Sequence, residues 1–232
     1  MTRHELKEQL QHDRFSDAVS GAVVYASSHR KNLIRAAIAV AVIAAVVGTA
    51  LWYSSYRRSI RRDALETALV VAQAPVGQAT PGVKSYPTEQ AKQDASIKAL
   101  SEVVAKYGGS DEGHIAEYYL GTVKAQKGDS KGAEHDLKAV ADSGSEFAPL
   151  AKVALSQMYA SENRMADAEA LLRGIANKGS DLVSKAQANI LLAQLYQTTK
   201  PQEAKKLLQS LKSDKDPAVQ NAVQQISGEQ TK

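Results

Sequence analysis

The sequence predicts an all-α protein, with one apolar helix near the N-terminus followed by a series of paired helices. Three observations carry this. Alanine, glutamine, lysine and leucine are abundant while aromatics make up only 5% of the chain, a composition rich in helix formers and without long tracts of strand-favouring residues. The stretch from Ala36 to Tyr53 holds no charged residue. Beyond residue 88, apolar residues recur at helical spacing, interrupted by glycine, proline and asparagine.

The apolar stretch comes first. Its length, about 18 residues at about 1.5 Å each, matches a hydrocarbon core of roughly 27–30 Å. Leu33 and Ile34 extend it, giving a transmembrane helix over 33–54. Arg35 stands where it can snorkel to the headgroups, and Trp52, Tyr53 and Tyr56 gather at the other end, where amphipathic rings favour the interface. A buried core helix is the competing reading; the length, the lack of charge and the basic flanks argue against it. A cleavable signal would need a far shorter polar lead than the one here, so an uncleaved signal anchor fits better.

Charge supports the same reading. Residues 1–85 carry 11 basic and 6 acidic side chains, and residues 86–232 carry 18 and 19. The excess therefore flanks the apolar segment, as expected beside a bilayer, whereas a nucleic-acid binder would carry it on the folded domain. Nucleic acid is not an expected partner. Cysteine is absent, which excludes disulfides, thiolate metal sites and a cysteine nucleophile.

Residues 1–32 form an N-terminal juxtamembrane segment. Thr2 and Glu5 have capping-box spacing, consistent with either a short surface helix or a frayed tail. After the span, residues 55–74 continue as a helix, with Ile60, Ala64, Ala68 and Ala72 at every fourth position. Arg57, Arg58, Arg61 and Arg62 fall on the flanking face, in position for lipid phosphates. Pro75 ends this helix. Residues 75–87 hold three prolines and two glycines and form a linker. A domain over 88–232 follows, with helices at 88–107 and about 111–127, 130–142, 146–161, 164–177, 181–198 and 201–211. Asp216 and Pro217 cap and start a last short one.

These helices pair, and the pairs repeat. Leu120-Gly121 precedes Gly128, Ala133 and Leu137; Leu155-Ser156 precedes Asn163, Ala168 and Leu172; Leu192-Ala193 precedes Ala204 and Leu208. The marker alanines Ala133, Ala168 and Ala204 lie 35 and 36 residues apart, near the 34-residue tetratricopeptide (TPR) period. A small residue on the first helix of each pair lets its partner approach closely, and the alanine on the second does the same in return. The third unit is one residue shorter in its turn, around 199–202. The fold class is thus a TPR-type helical-repeat domain, an α-solenoid, behind one transmembrane helix.

No catalytic chemistry emerges. The five histidines lack ligand spacing; His114 and His135 share a repeat but read as solvent-facing. The glycine and lysine of 128–132 do not match a phosphate-binding loop, and no serine sits in a nucleophile elbow. We expect no enzyme activity, cofactor, metal or small-molecule substrate. Projecting the inward positions of such repeats gives a protein-binding groove lined by Ile115, Tyr118 and Thr122, then Leu150, Val153 and Gln157, then Gln187, Ile190 and Gln194. That lining is apolar and amide-bearing, with no cation to grip a carboxylate. It suits an apolar or amphipathic protein segment, or the chain's own helix at 88–107.

This order of parts resembles the ancillary SecYEG translocon subunit family, which shares its TPR-like domain with cell-division coordinators. The shared parts are a short N-terminal segment, one span ending in Leu51-Trp52-Tyr53, a helix carrying on past it, and degenerate helical repeats. The resemblance implies a single-pass protein of the bacterial inner membrane with periplasmic repeats, whose partners are the lipid bilayer, the SecYEG translocon and periplasmic chaperones. The four arginines after the span depart from that topology, because basic residues favour the cytoplasmic side. A cell-envelope or division coordinator, or a self-associating structural membrane protein, is the alternative.

Overall fold

The computed structural model describes residues 30–77 and 84–228. The capping box at Thr2 and the middle of the linker lie outside the described residues. The chain divides into two compact units, Met1–Arg58 and Ser59–Lys232.

In the first unit, the described residues belong to α1, which runs Arg30–Ala72 and so enters the second unit. Its most apolar 18-residue window has a mean hydropathy of 2.3 and none of it is buried within the protein. The Thr49 hydroxyl donates to the Ala45 and Val46 carbonyls and Ser54 donates to Leu51. These two hydroxyls are therefore satisfied inside the helix, as an apolar solvent requires.

In the second unit, the end of α1 turns inward: Leu65, Ala68 and Val71 are buried. Pro75 follows its last turn. The Gly77 N–H donates to the Tyr86 carbonyl and the Tyr86 N–H to that of Pro75, so the two ends of the linker are clasped by a single parallel bridge. Gly77 sits at φ +116°, a conformation open to glycine.

Helices α2 (Glu89–Tyr107), α3 (Asp111–Lys127), α4 (Ser130–Asp142), α5 (Ala148–Ser161), α6 (Met165–Lys178), α7 (Lys185–Thr199), α8 (Pro201–Leu211) and α9 (Pro217–Ser227) follow. No sheet strand occurs among the described residues. Caps explain the starts. Thr88, Ser110, Asp129, Ser184 and Asp216 each accept a hydrogen bond from a first-turn backbone N–H. The turns within pairs show the repeat directly. Gly128 adopts φ +89° and Asn163 adopts φ +62°, and asparagine is among the non-glycine residues that best tolerate this region. In the shortened third turn, Lys200 ends α7 and also precedes α8, with Pro201 in the first helical turn. The helix expected from 181 begins instead at Lys185, because Val183 and Ser180 bond each other in a turn that buries Val183 to 1% exposure.

Core clusters bridge successive helices instead of closing within a pair. Leu65, Leu100 and Leu120 join the end of α1, α2 and α3. Leu137, Leu155 and Ala168 join α4, α5 and α6; Leu172, Tyr196 and Ala204 join α6, α7 and α8; Ala193, Leu208 and Val223 join α7, α8 and α9. Burying each leucine contributes roughly 1.5–3 kcal/mol, and most of that is available only when neighbours stack. The small residues make the stacking possible. A Cβ on Gly121 would lie 2.7 Å from Cγ of Leu137 and 3.3 Å from the Ala133 carbonyl oxygen. Ser156, Ala193, Ala133, Ala168 and Ala204 are all buried. Gly113 is tighter still, since a Cβ there would meet the Tyr107 carbonyl oxygen at 2.0 Å.

Gly121→Val should destabilise the repeats by about 1–3 kcal/mol through overpacking, read as a lowered thermal midpoint by circular dichroism. Gly174→Ala, on α6 with nothing within 4 Å of the added Cβ, should stabilise by about 0.5–1 kcal/mol.

Candidate functional site

The projected groove positions divide into two groups. Ile115 packs against the cluster of α1, α2 and α3. The Tyr118 ring stands edge-on to Tyr119 at 5.3 Å and to Phe147 at 5.6 Å. The Thr122 hydroxyl donates to the Tyr119 carbonyl. Leu150 and Val153 pack against Ile175, Val183 and Ala188. Ile190 is 8% exposed and lies in the cluster that α9 completes with Val219 and Val223. These side chains serve packing. Gln157, Gln187 and Gln194 are exposed.

Two of the three meet in one place. Gln157 and Gln194 line a depression of about 290 Å³ between α5, α6 and α7, with Ser156 and Thr198 beside them and Leu172, Leu191 and Leu195 supplying apolar surface. None of its lining residues is ionisable. The chain's own helix at 88–107, α2, packs in the cluster that includes Ile115. The clusters holding Tyr118, Leu150, Val153 and Ile190 contain no α2 residue. The segment that covers Ile190 is α9.

Between successive pairs lie ionic clamps that the sequence reading did not anticipate. The Tyr159 hydroxyl on α5 donates to Glu134 on α4 at 2.8 Å. Arg164 lies 3.8 Å from the Tyr159 ring centroid and pairs with Glu134, as does Lys138. One repeat later the same parts recur. Arg173 donates to the Tyr196 hydroxyl at 3.0 Å, and Lys200 and Arg173 both pair with Glu169. The bonds from Lys138 and Tyr159 draw the Glu134 carboxyl down to about 2, and Lys200 draws Glu169 down as well. Repetition was the available signal, because Glu134 and Glu169 each follow a marker alanine. Within the first pair, Lys124 on α3 also holds Asp136 on α4, at 2.6 Å. Nearby, burial and then the Asp136 charge raise the Glu117 carboxyl above its usual range.

The residues expected at a membrane interface also separate. Arg35, Arg57 and Arg58 are exposed. Trp52 and Tyr56 stack at 6.0 Å, and the Arg57 guanidinium lies 5.8 Å from the Tyr53 ring centroid. Arg61 is different. Its Nε donates to Glu112 on α3 at 2.8 Å, and Arg62 approaches the same carboxylate at 3.9 Å. Burial would raise Glu112, but the bond and charge of Arg61, helped by Ser110, bring it below the usual range. Arg61 therefore ties the end of α1 to the repeats.

No protein-family model matches the chain, and no curated protein does. A solved structure that the chain is similar to is that of nearly identical TPR-like repeats, assigned to a kinesin light chain of Podosopora anserina. The TM-score is 0.51 at 15% identity, over 73% of this chain and 87% of that one. At this identity the likeness establishes the fold alone: the chain is built of TPR-like helical repeats.

The clamps set a pH dependence. With its carboxyl lowered on folding, Glu134 contributes stability that is complete above about pH 4.5 and is lost as pH falls from there toward about 2. Glu134→Gln should cost about 1 kcal/mol near neutral pH, the scale of a surface ion-pair cluster. It should also flatten the acid limb of a plot of thermal midpoint against pH.

Proposed function

We propose that the protein is a membrane-anchored, non-enzymatic scaffold whose helical repeats bind another protein. The observation that carries this reading is the unburied apolar window of α1 in the same chain as a TPR-like stack. An apolar helix of that length with no protein cover is stable in lipid and a liability in water. Stacked helical pairs create extended surfaces of the kind used to hold polypeptides, and the uncharged depression at Gln157 and Gln194 suits a neutral, partly apolar segment.

Within that class, the order of parts favours an ancillary translocon subunit of the bacterial inner membrane. The repeats then lie in the periplasm, with the SecYEG translocon and periplasmic chaperones as partners.

Two measurements test the reading. Alkaline carbonate should leave the protein in the membrane fraction; release into the soluble fraction would end the anchored account. Site-specific crosslinking from the repeat surface should capture translocon or chaperone subunits. Gln157→Arg with Gln194→Arg, both at exposed positions, should cut that capture about tenfold or more by placing unpaired charge in the depression. Unchanged capture with an intact helical spectrum would move binding off this face.

A further inference from the structure

The described part of the first unit carries cations without a single carboxylate. From Arg30 to Arg58 there are Arg30, Lys31, Arg35, Arg57 and Arg58, and neither aspartate nor glutamate. Elsewhere on the chain cations are widely paired. Arg61, Lys124, Arg164, Arg173 and Lys200 all reach carboxylates. Among the described residues Arg57 and Arg58 pair with no carboxylate, and both stand exposed one turn beyond an aromatic end of the apolar window.

The geometry at Arg57 is specific. Its Nη1 lies 3.5 Å from the Tyr53 hydroxyl oxygen and its guanidinium over the Tyr53 ring. The side chain is thus drawn back one helical turn, to the level of Trp52, Tyr53 and Tyr56. Indole and phenol rings settle at the depth of the headgroups. A guanidinium held there faces phosphodiester oxygens, which it binds in bidentate fashion. The neighbouring Arg58 adds a second positive charge.

We infer that Arg57 and Arg58 form a binding site for an anionic phospholipid headgroup, with Tyr53 as the positioning residue for Arg57. A zwitterionic headgroup brings its own ammonium, which two adjacent guanidiniums repel. A headgroup whose phosphate is uncompensated matches the charge present. The inference rests on the membrane-anchored reading, and its test separates the two.

Trp52 is the single tryptophan of the chain and sits within the site, so its fluorescence reports which lipid lies beside it. The full-length protein is reconstituted in vesicles of phosphatidylcholine and phosphatidylglycerol at fixed composition, with brominated chains carried by one lipid or the other at equal mole fraction. Brominated phosphatidylglycerol should quench Trp52 more strongly, by an enrichment of about fivefold for each engaged arginine. Arg57→Gln with Arg58→Gln should abolish the difference while leaving total quenching in place. Arg57→Lys should keep the charge but reduce the preference. Equal quenching by the two lipids in the unaltered protein would overturn the anionic site and leave the anchor standing. Absence of quenching by either would overturn the anchor itself.

Discussion

Close approach between helices is the constraint from which the repeat domain follows. Gly121 meets Leu137 at a distance that leaves no room for even a methyl group, and Ser156 and Ala193 occupy the matching positions of the next two pairs. Helices brought this near leave their leucines pointing onward to the next helix instead of closing a private core. The clusters therefore run through three helices at a time. A stack built this way needs something at each end. The end of α1 with α2 serves at the start, and α9 serves at the finish by covering Ile190 with Val219 and Val223.

Polar contacts add register to this apolar stacking. Glu134 and Glu169 each draw together a tyrosine and two cations from their own and the following pair. The pattern stops where Lys205 stands in place of the expected glutamate after Ala204. At the same point the turn loses a residue and α9 takes over. Contacts of this kind are weak singly, and here each links one pair to the next.

Much of the fold was legible in the sequence because its signals are local or periodic. The alanine period, the capping residues and the equivalence of Gly128 with Asn163 all follow from backbone geometry within a turn or a repeat. The misplaced features depend on distant partners. Arg61 carries the same local signature as Arg57 and Arg58, and only Glu112, 51 residues away, separates its role from theirs. Ile190 has the helical phase of a groove residue, yet α9 covers it. Val183 has the phase of a helix residue, but a serine turn draws it into the core. Projection from a repeat pattern assumes an open face. Gln157 and Gln194 stay exposed because no later described helix packs over them.

A double-mutant cycle at the first helix pair bears most directly on the close-approach account. Gly121→Ala, Leu137→Ala and the double variant would be compared by chemical denaturation. If the contact between these two positions sets the helix spacing, shortening Leu137 makes room for the added methyl, and the two changes couple by about 1 kcal/mol or more in the favourable direction. Additive effects, within about 0.5 kcal/mol, would show that the pair is held apart by other contacts and would contradict the account.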